Sequence, residues 1–117
     1  MTLHEYQTLC IKSEPPYLTR GEEALLGLFG LNSSVGKLFD LYQKSLYEGA
    51  ELAPEAFLEE LGLVIRNVAI LAHVVDKDIG DVLRRDVERL ENKACEKRAE
   101  EFIKTNGKPI NSDAGDE

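Results

Sequence analysis

Tryptophan is absent from this 117-residue chain, methionine occurs once, and cysteine and histidine occur twice each. Cys10 and Cys95 form no CxxC or mixed Cys/His set, which excludes a zinc ribbon and a disulfide framework. Two idle thiols in a cytoplasmic protein are the expectation. His4 and His73 lie far apart, and only Asp76 and Lys77 stand one turn beyond His73, so a satisfied histidine is expected there rather than a metal ligand. Basic residues are scarce: 14 lysines and arginines face 22 acids, a net charge of −8. That balance excludes a general nucleic-acid binder, whose affinity comes largely from phosphate neutralisation. No apolar run approaches the length of a membrane span, and the first residues lack the basic-then-apolar layout of a secretory leader. Gly27, Gly30 and Gly36 form neither a Walker motif nor a dinucleotide fingerprint after a strand. Ser33 and Ser34 have no nucleophile-elbow frame and no evident base.

What the chain does have is apolar content of 43% with 31% charged residues, enough to pack a core in a single domain. A domain this small buries a modest share of its surface, so self-association would help it. Four segments carry helical periodicity and none reads as a strand. Leu3, Tyr6, Leu9 and Cys10 fall on one stripe of a first helix, which Pro15-Pro16 stops. Thr19 and Glu22 form a capping box at the start of a second, whose apolar pattern runs through Leu25, Leu28, Phe29, Val35, Leu38, Phe39 and Tyr42 to about Tyr47. Its glycines signal either a kink or a close helix–helix approach.

Glu48-Gly49 closes the second helix, and Pro54 opens a third with Glu55 near its positive end. Apolar residues from Phe57 to Val75 cover more than one stripe of the third helix, as in a central helix or one shared with a second copy. Asp76 and Asp78 are both candidate caps for a fourth helix. That helix is expected to bury Ile79, Val82, Leu83, Val87, Leu90 and Ala94 and to run to about Lys104 before Asn106-Gly107 and Pro109. The expected organisation is an all-α, four-helix-bundle-like domain over residues 1–104, with an acidic tail over 105–117.

Most acid pairs have ordinary explanations. Glu22/Glu23 and Asp76/Asp78/Asp81 lie at helix starts, and Glu100/Glu101 lie on a charged helix end. Glu60 differs, because Leu61 and Val64 follow it on the expected buried side; an inward and an outward Glu60 are both compatible with the pattern. Arg84, Arg85 and Arg89 interleave with Asp86 and Glu88, the pattern of a salt-bridged solvent face.

The order of several short elements resembles the MazG-like all-α nucleoside triphosphate pyrophosphohydrolases over roughly Leu3 to Lys93. They are Leu3-x-x-Tyr6-Gln7, Leu26-Gly27-Leu28-Phe29-Gly30, Lys44-x-x-x-x-Gly49-x-x-Leu52 and Glu59-Glu60-Leu61-Gly62. The resemblance implies a helical fold assembling as a dimer or dimer of dimers, and hydrolysis of nucleotides with magnesium. It also implies four magnesium-binding acids, at positions that here read Leu31, Ser34, Glu60 and Leu63, so only Glu60 remains. Where members offer Asn and Lys to the phosphates, this chain has Asp86 and Arg89; Arg89 and Lys37 are the candidate phosphate contacts.

A single carboxylate has neither the ligand count nor the relieved mutual repulsion that draws magnesium into an acid cage. Leu31 and Leu63, expected to face each other, would fill such a cavity with apolar contact at roughly 1.5–3 kcal/mol per buried side chain. The leading expectation is therefore a pseudoenzyme without a resident cofactor, acting by binding a protein, with neither nucleic acid nor membrane as a partner. A phage-encoded modulator of a host protein is one setting. Leu61, Ile65, Val68 and Ala72 are the expected homo-oligomer contacts. Two alternatives stand beside it: an active magnesium enzyme using Glu59, Glu60 and acids of a neighbouring subunit, and a nucleotide sensor using Lys37, Arg66 and Arg89.

Overall fold

The computed structural model describes residues 1–106, and every regular element there is an α-helix: α1 (Leu3–Lys12), α2 (Arg20–Glu48), α3 (Pro54–Val74) and α4 (Ile79–Asn106). Two compact units are present, Met1–Val82 and a second from Leu83 onward. Of the expected tail, Thr105 and Asn106 continue α4, and the remainder lies outside the described residues.

Local chemistry sets the helix ends. The Thr2 hydroxyl accepts from Glu5 N at 3.0 Å while Thr2 N donates to Glu5 Oε1 at 2.7 Å. Thr19 and Glu22 repeat the arrangement at 3.2 and 2.9 Å, as their spacing predicts. Both glutamates have their pKa lowered, first by the backbone amide of the capping threonine and then by its hydroxyl. Gly49 ends α2 at φ +68°, the left-handed conformation that glycine takes without a Cβ penalty.

Asp76 plays a part other than the cap of α4. It sits at φ +57° just past α3, where Lys77 N donates to Ala72 O and Asp76 N to His73 O, both at 2.9 Å. This is a Schellman closure with aspartate in the glycine position. Arg20 supports it by donating to Asp76 Oδ2 at 2.8 Å and to Val74 O at 3.1 Å. The Arg20 hydrogen bond, with its charge, holds Asp76 below its ordinary pKa. Asp78 is the residue that immediately precedes α4, with its backbone N–H held by Asp81 Oδ2 at 3.1 Å.

Helices α2 and α3 form an antiparallel hairpin. A Cβ on Gly27 would lie 3.0 Å from Leu71, and one on Gly30 only 2.7 Å from Asn67 Oδ1. These two glycines therefore mark close helix approach, and α2 runs unbroken through them. Ala24, Gly27, Leu31, Ser34, Leu38, Leu41 and Ser45 make up the covered stripe of α2, each buried or half-buried. Gly62 faces open space. Gly62→Ala is accordingly expected to raise stability by about 0.5–1 kcal/mol. Gly30→Ala should give no such gain, because Asn67 would have to leave its 2.9 Å bond to Leu63 O. Paired thermal melts check the contrast.

The buried core is small and lies where α1 meets the end of α3 and the start of α4. Cys10, Ala69, Ile70 and Ile79 are buried there with Tyr6 packed against them. Leu9, placed on the α1 core stripe by periodicity, is instead exposed, and Gln7 takes the buried position. The expected burial along α4 holds for Ile79 alone. Val82, Leu83, Val87, Leu90 and Ala94 are exposed, since periodicity tells which face is apolar but not what covers it.

Candidate functional site

Lys37, Asp40, Leu41 and Lys44 recur at helical spacing on one side of α2, and Ala56, Glu59 and Glu60 meet them from α3. Together they line an open groove of about 270 Å³. Its charges are mixed: two ammonium groups stand among three carboxylates. Glu60 is half-buried, and its Oε1 is shielded from solvent with no hydrogen-bond partner. That oxygen is an unsatisfied polar atom of the groove, and a buried acceptor without a donor carries its full desolvation cost.

The hairpin register places the other family positions. Gly30 lies level with Asn67, and Lys37 and Leu41 level with Glu60 and Ala56, so Leu31, Ser34 and Leu63 fall within the two turns between. Ser34 is buried, at 4% exposure. Leu63 is half-buried, and its carbonyl accepts from Asn67. Leu31 is half-buried and lines a shallow apolar concavity with Leu28, Phe29, Asn32 and Val35. Lys37 is thus brought to Glu60. Arg89 belongs to the second unit, where it shares a concavity on α4 with Asp86, Leu90, Asn92, Lys93 and Glu96. Arg66 is exposed on α3, beside Tyr6.

This donor set does not suit magnesium. The ion asks for near-octahedral oxygen ligation anchored by carboxylates, whereas lysine ammonium groups compete for the few acids present. Among the described residues no group of three His, Cys, Asp or Glu side chains is disposed to hold a metal. The groove suits a highly charged phosphate equally poorly, since acids outnumber lysines.

A second carboxylate pair lies at the α1–α2 end. Glu14 is half-buried beside Glu23, and burial first, then the neighbouring carboxyl, push its pKa up. The sign is opposite to that of Glu5, Glu22 and Asp76. The Glu14 contribution favours folding below the ordinary carboxylate range and is lost as pH rises through its raised pKa. The three depressed acids favour folding above that range and lose their contribution on acidification.

The residue with the most demanding geometry is one whose role sequence reasoning missed. Gln7, 3% exposed, donates through Nε2 to Ala69 O and to Lys77 O, both at 3.0 Å, and accepts from Ile79 N through Oε1 at 3.2 Å. One side chain thereby ties α1 to the closing turn of α3 and to the first residue of α4. The available signal was a glutamine next to Tyr6 on the inner side of an amphipathic helix.

Comparison of the chain with family models, with curated proteins and with solved structures returned no match. Among the described residues no helix is long and apolar enough to cross a membrane.

Proposed function

We propose that the chain is a MazG-like helical module that has lost magnesium-dependent pyrophosphohydrolase chemistry and acts in the cytoplasm by binding protein, including copies of itself. The observation that supports this reading most is the composition of the groove. One acid, Glu60, remains of the four that the resemblance implies, and Lys37 and Lys44 line the space beside it. Exposure of large side chains supports protein binding: Phe29, Phe39, Leu58 and Ile65 are each half or more open to solvent. A phage protein that captures a host factor fits the acidic surface and lack of a catalytic set; nucleic acid and membrane are not its partners.

One observation favours a second reading. A buried carboxylate oxygen without a partner is what a cation would satisfy, so an active enzyme that completes its acid set from Glu59, Glu60 and a neighbouring copy stays in play. A nucleotide sensor using Lys37, Arg66 and Arg89 has less support, because Arg89 stands among acids on α4. Incubation with a panel of nucleoside triphosphates and magnesium or manganese separates the first two. The expected result is no release of pyrophosphate above background; turnover that Glu60→Ala abolishes would overturn the pseudoenzyme reading.

A further inference from the structure

The connection between α1 and α2 is short and stiff. Pro15 and Pro16 have a fixed φ and no amide donor, and Glu14 is restricted in turn by the proline that follows it. The Glu14 N–H donates to Ile11 O at 3.1 Å, which fastens the residue to the last turn of α1. Among the described residues α1 packs on α3 and not on α2. Glu14 nevertheless reaches α2, and what its side chain meets on the first turn there is a second carboxyl, that of Glu23.

Both residues are half-buried, and Glu14 Oε1 is shielded from solvent with no hydrogen-bond partner. Two ionised carboxylates in this place would set acceptor against acceptor and charge against charge. One proton between them changes both terms. The acid O–H becomes a donor, the other carboxylate accepts from it, and one negative charge remains instead of two.

No cation stands in for that proton. Among the described residues Glu23 is the one charge that acts on Glu14; neither Lys12 of α1 nor any charge of α3 does so. Arg20, also on the first turn of α2, feels Glu23, but its guanidinium is held by Asp76 Oδ2 and Val74 O. Burial and the neighbouring carboxyl, which push the Glu14 pKa up, agree with a proton retained above the ordinary carboxylate range.

We propose that Glu14 and Glu23 share one proton that latches the exit of α1 to α2, and that its loss frays the last turn of α1 and uncovers the Cys10 thiol. The backbone carries the coupling. Ser13 N, Ser13 Oγ and Glu14 N together hold the carbonyls of Leu9, Cys10 and Ile11, so a Glu14 that leaves α2 takes the closing bonds of the turn with it. Cys10, 4% exposed, belongs to that turn and packs with Ala69, Ile70 and Ile79. The closed form binds the proton more tightly than the open one, so the latch is shut in weak acid and opens as pH rises through the raised pKa. It lies apart from the α2–α3 groove and does not depend on what the groove binds.

Cys95, exposed on α4, serves as an internal reference for Cys10. The alkylation rate of Cys10 by N-ethylmaleimide, divided by that of Cys95 in the same sample and read by mass spectrometry, cancels the thiolate chemistry common to both. In the full chain this ratio should rise about 5-fold between pH 5 and pH 8, the scale on which a modest carboxylate shift moves an equilibrium. In Glu23→Gln and in Glu14→Gln an amide N–H takes the place of the shared proton, so the ratio should stay level across the same range. Circular dichroism checks that each variant keeps its helices, and where one does not, the other carries the test. A wild-type ratio that does not change with pH overturns the proposal. So does a rise that a folded glutamine variant repeats.

Discussion

A Gln7→Glu variant is expected to lose about 3–5 kcal/mol of folding stability at pH 7, the cost of a buried charge set against unpaired groups. Glutamine serves the site because it offers two donors and an acceptor on one planar group. Both donors reach carbonyls, Ala69 O and Lys77 O, and the acceptor meets the first amide of α4. An ionised glutamate keeps the acceptor and turns an oxygen toward two carbonyl oxygens at about the distance of a hydrogen bond. Desolvation and those dipoles raise its pKa in the folded state. Because the folded pKa lies above the unfolded one, the penalty is absent below the ordinary carboxylate range and grows as pH rises through the raised value.

Urea unfolding of variant and wild type at pH 4 and pH 7 reads the difference directly. The gap between the two proteins should narrow in acid, although the wild type itself weakens there through Glu5, Glu22 and Asp76. A gap independent of pH would mean that Gln7 acts through shape alone.

Gly27→Leu is expected to cost roughly 3 kcal/mol, at the upper end of the range for overpacked cores. Gly27 is buried, and even a Cβ would stand 3.0 Å from Leu71 Cδ2 and 3.1 Å from Leu71 Cγ. A leucine adds three more carbons to a place with no room, so α2 and α3 must separate along the contact that holds the hairpin. Gly27→Ala should fall near neutral, the better helix propensity offsetting a shift of Leu71 by a few tenths of an ångström. The order leucine, alanine, glycine of rising or equal stability in denaturant melts checks the contact. Leucine tolerated without loss would contradict it.

Elements that act within one turn were legible in the residues. The Thr19–Glu22 box, Pro54 at the start of α3 and Gly49 after α2 each satisfy or release backbone groups locally, and each stands where its spacing places it. Elements whose meaning depends on a neighbour were not. The glycines of α2 left kink and close approach equally open until Leu71 and Asn67 were seen against them. Asp76 resembled a cap for α4 because aspartate suits both a helix start and a left-handed closure; the bond from Lys77 N to Ala72 O decides for the closure.

The same limit applies to the candidate site and to the apolar stripes. Periodicity identified apolar faces on α2 and α4 without revealing that much of both is open to solvent. For the groove, the residues identified Glu60 and Lys37 separately. Their juxtaposition across the hairpin, and the unpartnered Glu60 Oε1, needed the register of two helices.

Magnesium titration of the full chain, followed by calorimetry and by the amide resonances around Glu60, bears most directly on the loss of an acid cage. The expected outcome is no saturable binding up to about 10 mM and no shift confined to the α2–α3 groove, because Lys37 and Lys44 compete for the three carboxylates there and only Glu60 stands at a position the acid cage would need. Saturable binding in the micromolar range that Glu60→Gln removes would contradict it.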